Sequence, residues 1–312
     1  MCIALRTGIS PVPLIRFKSE SDGRGTSVAN RRGVHQYRLI FSLFACFILP
    51  LLSRANAATE IPFEHRDGLI WLNVSATGHA KPLRFLLDSG AGVGVIDLRA
   101  ARALGQKLDT PQTVLGIGGS STAYQVAGIE LNLPGVALPP PRLAVDLSAV
   151  SAGCGRRIDG LLGADFFRRH IVQVDFRAEK IRLLSRGEVP SGACEVLPLS
   201  LRGDAYCVRL SVNAQPPGWV RVDTGCDSSL EWLKVAHGRK TKAGTSIAAV
   251  AGSHHSVLTA VQLGSLHLAA VPTGLHETPI FDGEAGLLGN GLLSRFTVTF
   301  DAARMRLLLS QK

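Results

Sequence analysis

The sequence FLLDSGA at residues 85–91 decides how the rest of the chain is interpreted. Three apolar residues lead into Asp88, which is followed by a serine and a glycine. A second stretch, VRVDTG at residues 220–225, repeats the arrangement around Asp223. Apolar runs of this length predict buried β-strands, and an aspartate, a hydroxyl residue and a glycine in succession predict a tight turn at each strand end.

A second pair of motifs follows the two aspartates. GLLG at residues 160–163 matches GLLG at residues 286–289 without a gap, 126 positions later, whereas Asp88 and Asp223 are 135 positions apart. The difference of nine requires only one or two changes in loop length. One aspartate tripeptide alone is explained by a β-turn. Two tripeptides with matching GLLG motifs predict a tandem duplication of one structural unit, whose copies bury their apolar faces against each other.

Length and composition agree with two lobes. The 312 residues are 46% hydrophobic and 19% charged, and they include 33 glycines and 16 prolines. These proportions predict packed cores and many tight turns, as in a β-rich chain. We expect a leader over residues 1–57, an N-terminal lobe over 58–186 and a C-terminal lobe over 187–312. The polar, turn-rich residues 185–192 form the expected linker.

The net charge of +10 belongs largely to the leader. Residues 1–57 hold eight of the 34 Lys and Arg but only two of the 24 Asp and Glu, which leaves 26 basic and 22 acidic residues in the remaining chain. The chain has no basic stripe with interleaved aromatic residues. The charge therefore gives no support for nucleic-acid binding, and we expect no nucleic-acid partner.

Residues 35–57 have the pattern of a secretory signal. A basic start is followed by a run of 14 mainly apolar residues at 39–52, and Ala-Asn-Ala at residues 55–57 forms a small-x-small cleavage site. The pattern predicts export to the periplasm or the medium, with cleavage near Ala57. If the leader stays uncleaved, it anchors the protein in a membrane, although a span needs roughly 18 or more apolar residues.

The paired motifs resemble those of the pepsin and retropepsin type of aspartic protease, and in detail a bacterial-type protease with two tandem retropepsin-like lobes. The resemblance covers about residues 61–310. It implies an all-β, two-lobed acid-protease fold, with double-psi β-barrel-like lobes, a few short helices and a cleft between the lobes. It further implies an endopeptidase whose catalytic dyad is Asp88 and Asp223, with a peptide or protein substrate and no metal or cofactor.

The chemistry explains why such residues occur in pairs. Peptide hydrolysis needs a base to activate water and an acid to protonate the leaving nitrogen. Two carboxyl groups held about 3 Å apart cannot both ionise, so one keeps its proton, as is known for aspartic proteases. The two groups can then act as base and acid. Asp88 and Asp223 each follow an apolar strand, which predicts partial desolvation and rigid placement.

The resemblance also assigns supporting roles around the dyad. The hydroxyls of Ser89 and Thr224 are expected to bond across to the opposite loop, and Gly90 and Gly225 let the loops and the substrate approach closely. Glycines near residue 116 predict a mobile hairpin tip that closes over the substrate. The expected floor turns are Leu161, Leu162 and Gly163 in the first lobe and Leu287, Leu288 and Gly289 in the second. The expected flap residues are Gly116, Gly118 and Gly119.

Three features of the second lobe depart from the family pattern. Arg221 stands where an apolar residue is usual, and its side chain either faces solvent or perturbs Asp223. Cys226 replaces a small residue, and Asp227 adds a third carboxylate. These features support a competing interpretation, a pseudo-protease that binds peptides or envelope proteins without cutting them. Carboxyl groups within hydrogen-bonding distance favour the enzyme, whereas a wide separation or an Asp223–Arg221 ion pair favours the binding protein.

Two further questions stay open at this level. Cys154, Cys194, Cys207 and Cys226 follow the leader and allow up to two disulfides in an oxidising compartment. The short loop between Cys194 and Cys207 favours that pairing, and buried thiols are the alternative. Both aspartate loops lie in one chain, so a monomer suffices, but a homodimer that pairs like lobes is also compatible with the sequence.

Overall fold

The computed structural model describes residues 5–7, 58–116, 119–188, 190, 194–234 and 256–311. Strands account for 52% of the structure and the helices are few and short, which confirms the predicted all-β class. The predicted signal segment at 35–57 and Gly118 of the predicted flap lie outside the described residues. No helix in the described part of the chain has both the length and the apolar character needed to cross a membrane.

The first half of the chain forms most of one lobe. Its strands are β1 (Leu5–Thr7), β2 (Thr59–Pro62), β3 (Glu64–Arg66), β4 (Leu69–Ala76), β5 (His79–Leu87), β6 (Val95–Asp97), β7 (Pro111–Gly116), β8 (Gly119–Gln125), β9 (Leu131–Leu133), β10 (Val136–Ala137), β11 (Leu143–Val145), β12 (Gly160–Leu162), β13 (Ile171–Asp175) and β14 (Lys180–Leu184). Its helices are α1 (Leu98–Ala103), α2 (Ser148–Gly153) and α3 (Ala164–Arg169).

The second half forms the other lobe. Its strands are β15 (Cys194–Pro198), β16 (Ser200–Arg202), β17 (Ala205–Val212), β18 (Gly218–Val222), β19 (Leu230–Leu233), β20 (Ser256–Leu263), β21 (Leu266–His276), β22 (Gly286–Leu288), β23 (Phe296–Asp301) and β24 (Arg306–Gln311). It also has the short helix α4 (Asn290–Leu293) and a 3-10 turn (Ala302–Arg304).

Each lobe is built around its own sheet. The N-terminal sheet has the order β1-β7-β8-β11-β6-β12-β5-β4-β9-β10, with β3 paired to β4. The C-terminal sheet has the order β16-β17-β18-β22-β19-β21-β20, and β17 also pairs with β20. In both sheets the strand that leads into the aspartate lies parallel to the strand of the GLLG motif, β5 beside β12 and β18 beside β22. The two lobes thus repeat one pattern.

A third sheet joins the two lobes. Its six strands have the order β15-β24-β23-β13-β14-β2 and come from both halves of the chain. At its centre β13 and β23 are antiparallel, with Gln173 opposite Thr299. These two residues are 126 positions apart, which is the spacing of the GLLG motifs. Because equivalent residues pair antiparallel with each other, the approximate two-fold axis of the duplication passes between them. All described residues belong to one compact unit.

The thiols of the chain correct one expectation. Cys207 lies fully buried in β17 and carries a thiol, so the favoured Cys194–Cys207 disulfide is wrong. Cys154 is a thiol as well, and neither residue is the partner of Cys226, which is disulfide-bonded. The short sequence separation of Cys194 and Cys207 was misleading because β16 and β17 form a hairpin that leaves Cys207 in the core.

The fold predicts that truncating a side chain in the core that the lobes share lowers the free energy of unfolding strongly. Phe300 is fully buried in β23, and its ring centroid lies 4.5 Å from that of Phe167 in α3. Phe300→Ala should lower the free energy of unfolding by about 3–5 kcal/mol, because it removes a buried ring and leaves a cavity. Urea unfolding measures this loss. Leu258→Ala is the control, since Leu258 is 70% exposed and its truncation should change stability by about 0.5 kcal/mol or less. Equal effects of the two changes would contradict this description of the core.

Candidate active site

Asp88 is fixed by the end of a fully buried strand. The last three residues of β5 are at most 1% exposed, and the backbone N–H of Asp88 donates to the carbonyl of Leu162 at 2.9 Å. Both faces of this strand end are covered, which is why its sequence is continuously apolar rather than alternating. The aspartate therefore stands at a rigid position beside the floor turn of its own lobe.

Asp223 is held by the same construction in the second lobe. Its backbone N–H donates to the carbonyl of Leu288, also at 2.9 Å. The glycine of each floor turn lies against the aspartate loop. A Cβ on Gly163 would stand 2.3 Å from the backbone of Val93, and one on Gly289 would stand 2.4 Å from the carbonyl oxygen of Ser228. No side chain fits at either position, so both floor turns require glycine.

The hydroxyls of Ser89 and Thr224 connect the two aspartate loops. The N–H of Ser89 donates to Thr224 Oγ1 at 2.9 Å, and the N–H of Thr224 donates to Ser89 Oγ at 3.1 Å. Ser89 Oγ then donates to the carbonyl of Val222 at 2.7 Å, and Thr224 Oγ1 donates to that of Leu87 at 2.9 Å. The four buried bonds follow the approximate two-fold axis, and they fix the separation of the neighbouring carboxyl groups.

The two carboxyl groups lie against each other. Asp88 and Asp223 are fully buried, and they lie close enough that each affects the pKa of the other. The Oδ1 of Asp88 accepts the N–H of Ala91, and the Oδ1 of Asp223 accepts that of Gly225, both at 2.9 Å. Neither Oδ2 receives a hydrogen bond from the described residues. A Cβ on Gly90 would stand 2.4 Å from the Cγ of Asp223, so only glycine allows this approach.

Burial changes the acidity of both groups. Desolvation, and next the charge of Asp223, raise the pKa of Asp88 well above its ordinary value. Desolvation also raises the pKa of Asp223, to about 7, although the neighbouring Arg221 charge opposes this rise. Since a buried carboxylate beside a second carboxylate is unfavourable, the pair retains one proton over a wide pH range. Burial and the charge of Asp223 favour the protonated form of Asp88, whereas the charge of Arg221 favours the ionised form of Asp223.

Arg221 does not face solvent, and that expectation is wrong. The side chain is 1% exposed and forms a two-pronged ion pair with Glu284, with Nε–Oε2 at 2.8 Å and Nη2–Oε1 at 2.6 Å. Its partner is thus Glu284 rather than Asp223. The alternative expectation holds, since the Arg221 charge lowers the pKa of Asp223. The sequence gives no signal for Glu284, which lies 63 positions away and outside both motifs.

Two tight turns support the aspartate loops from the opposite lobe, and the sequence analysis did not find them. A Cβ on Gly68 would stand 2.7 Å from the Cβ of Asp227, and one on Gly92 would stand 2.3 Å from the Cβ of Asp204. In each case a turn of one lobe packs against the aspartate loop of the other. Asp227 therefore lies at a lobe contact. Cys226 is fully buried beside Phe281 and Leu287, so it is a core residue.

The predicted flap is a hairpin in the N-terminal sheet. The antiparallel strands β7 and β8 end with Gly116 opposite Gly119. Strand β1, from the predicted leader, pairs with the outer edge of β7 and places Leu5 opposite Gly116. No group of three or more His, Cys, Asp or Glu side chains within the described ranges is arranged to hold a metal ion.

Comparisons with other proteins agree with this architecture. Residues 72–166 match the sequence model of a family described as aspartyl protease, and no curated protein matches the chain. A solved aspartic proteinase from Irpex lacteus is similar over 82% of this chain and 98% of its own, at 12% identity and a TM-score of 0.51. Basic 7S globulin from soybean is similar over 82% and 95%, at 13% identity and a TM-score of 0.50. At these identities the likeness concerns the fold, and it confirms the predicted two-lobed class.

The raised pKa values of the two aspartates predict how the stability of the protein depends on pH. The unfolded Asp223 has a pKa near 3.8 and the folded one near 7, so the folded protein binds the proton more tightly between these values. The free energy of unfolding should therefore fall as the pH rises toward 7, by at most about 1.4 kcal/mol per pH unit for one proton. Asp223→Asn carries no titrating proton there and should show a shallower slope. Urea unfolding at several pH values measures both proteins, and parallel curves would contradict the assignment.

Proposed function

We propose that this chain is an endopeptidase that hydrolyses peptide bonds with a water molecule activated by Asp88 and Asp223. Its family match and its fold are both those of the aspartic proteases. The observation that carries the proposal is that the bonds between Ser89 and Thr224 hold the two aspartate loops together, with both carboxyl groups fully buried and close enough to affect each other's pKa. The family match and the fold support peptide hydrolysis as the general activity. The fold alone does not decide it, because one of the similar structures is named as a globulin.

The geometry suggests a division of labour within the dyad. At a pH above about 7 Asp223 is the ionised group, and it accepts a proton from water as the water oxygen attacks the peptide carbonyl carbon. Asp88 gives its proton to the carbonyl oxygen, which stabilises the tetrahedral intermediate. The proton held by Asp223 then passes to the nitrogen as the C–N bond breaks, and one hydroxyl of the intermediate returns a proton to Asp88 as the carboxylic acid product forms. The two Oδ2 atoms, which no described residue bonds, are the atoms available for the water and the substrate.

One chain supplies both halves of the dyad. The reciprocal bonds between Ser89 and Thr224 connect two loops of the same chain, so a monomer is the proposed catalytic unit. We expect a peptide or protein substrate to approach between the lobes, under the hairpin of β7 and β8. A homodimer remains compatible with this proposal if each copy keeps its own dyad.

The competing function is a binding protein that holds peptides without cutting them. Its sequence support was Arg221, which could have neutralised the second aspartate by direct pairing. Arg221 instead pairs with Glu284, and the carboxyl groups of Asp88 and Asp223 remain in contact. Both observations favour the enzyme. Peptide cleavage by the purified protein distinguishes the two functions.

The dyad predicts the outcome of removing either carboxylate. Asp88→Asn and Asp223→Asn should each lower kcat/KM for a peptide substrate by about 10²–10⁴-fold, because each removes one of the two groups that transfer protons. Mass spectrometry of a peptide library incubated with residues 58–312 measures this loss. Asp227→Asn is the matched control from the same loop, and it should retain most of the activity. If Asp227→Asn removes cleavage while either dyad variant keeps it, the proposed assignment is wrong.

We also propose that the protein is exported. The support is the basic start, apolar run and small-x-small site at residues 35–57. Expression of the full chain in a bacterium, followed by fractionation and N-terminal sequencing, should yield a mature protein that begins at Ala58. Replacement of Ala57 by a bulky residue should leave the precursor at the membrane. A mature protein in the cytoplasm that retains its leader would contradict the proposal.

A further inference from the structure

The ion pair of Arg221 and Glu284 occupies a place that is apolar in the other lobe. The duplication spacings relate Arg221 to Leu86, 135 positions earlier, and Glu284 to Ile158, 126 positions earlier. Leu86 and Ile158 are fully buried members of one apolar cluster beneath Asp88. The second lobe therefore has a buried ion pair beneath its aspartate where the first lobe has two hydrocarbon side chains.

The contacts of Arg221 reach from one lobe to the other. Its Nη1 donates to the carbonyl of Gly90 at 2.8 Å, and this glycine belongs to the aspartate loop of the first lobe. Its Cζ lies 3.6 Å from the centre of the Phe281 ring, so the cation also contacts an aromatic face. The guanidinium is thus fixed on three sides. Gly90 in turn is the residue that lies directly over the carboxyl group of Asp223.

We propose that the Arg221–Glu284 pair is a positioning device that makes the two aspartates unequal: it holds the first aspartate loop over Asp223 and keeps Asp223 as the ionised member of the dyad. This inference rests on the proposed function for its role in catalysis. A stability role alone explains it poorly, because a buried ion pair is often no more stabilising than the apolar residues it could be replaced by. Leu86 and Ile158 are such residues within the same chain.

The charges around Asp223 agree with this role. The charged or titratable groups that act on it are Asp88 from the first aspartate loop, Arg221 from its own strand, and Glu284 from the segment before β22. Arg221 lowers the pKa of Asp223 more than Glu284 raises it, so the pair as a whole favours the ionised form. Asp88 has no equivalent pair beneath it and keeps the proton.

The duplication itself supplies the test variant. Arg221→Leu combined with Glu284→Ile installs the arrangement of the first lobe and leaves no buried charge without a partner, so the protein should fold. Arg221→Leu alone would leave Glu284 buried and unpaired and is less informative. In the double variant the acid limb of kcat/KM should move to higher pH. At pH 8 kcat/KM should fall by about 10²-fold, as expected when a reacting group is both misplaced and protonated.

A second variant should move the acid limb of kcat/KM in the opposite direction, to lower pH. Glu284→Gln keeps the size of the side chain and an oxygen that accepts from Arg221, but it removes the negative charge that raises the pKa of Asp223. The acid limb of kcat/KM should therefore move to lower pH. A residue with only a structural role would change activity at all pH values alike. Opposite movements in the two variants would support the positioning role, and unchanged pH profiles in both would overturn it.

A readout without turnover separates this inference from the proposed function. Carbon-13 NMR of labelled aspartate carboxyls follows the titration of the dyad in the folded protein, and Asp88→Asn and Asp223→Asn assign the two signals. The Asp223 signal should titrate at higher pH in the double variant and at lower pH in Glu284→Gln. If the protein cleaves no peptide but these movements occur, the proposed function fails and the inference about inequality stands. If cleavage occurs and the signals do not move, the inference fails alone.

Discussion

The structure depends on two carboxyl groups that are buried in contact with each other. Neither can become charged beside a charged neighbour without a large electrostatic cost, so the pair holds a proton that either group alone would lose at neutral pH. Such an arrangement opposes folding unless other interactions impose it. The reciprocal bonds of Ser89 and Thr224 impose it locally, and the sheet shared by the lobes imposes it globally.

The hydroxyl bonds and the shared sheet both follow the same approximate two-fold axis. The hydroxyl bonds exchange equivalent atoms of the two loops, and Gln173 and Thr299, which are also equivalent, face each other in the shared sheet. A single duplicated unit thus brings its copies together at two places. Symmetry alone, however, would give two aspartates of equal acidity, whereas a general acid and a general base must differ. The buried pair of Arg221 and Glu284 breaks this symmetry, and under the proposed function it makes the two aspartates unequal.

The sequence predicted the fold class because the signals that carry it are local. Apolar runs before Asp88 and Asp223, and glycines where a Cβ would collide with backbone, are readable in a short window. What the sequence could not supply was the partner of Arg221, since Glu284 carries no motif and meets it only through the β18–β22 pairing. The turns at Gly68 and Asp204 were missed for the same reason, because the aspartate loops that they contact belong to the opposite lobe.

The two lobes also show how one architecture admits different interiors. The first lobe packs Leu86 and Ile158 beneath its aspartate, and the second packs an ion pair with three hydrogen bonds and an aromatic contact. Every charged atom of that pair needs a partner, because an unpaired buried charge would be costly. The carbonyl of Gly90 is one of these partners, which connects the interior of one lobe to the aspartate loop of the other.

The central claim is that a single chain forms one complete dyad, and mixing two inactive variants tests it most directly. Purified Asp88→Asn and Asp223→Asn chains are combined under conditions in which wild-type protein cleaves a peptide library. No recovery of cleavage is expected, because each chain keeps one defective loop locked to its own partner loop. Cleavage that returns in the mixture, at a level that rises with protein concentration, would show that the dyad forms between chains and would contradict the account.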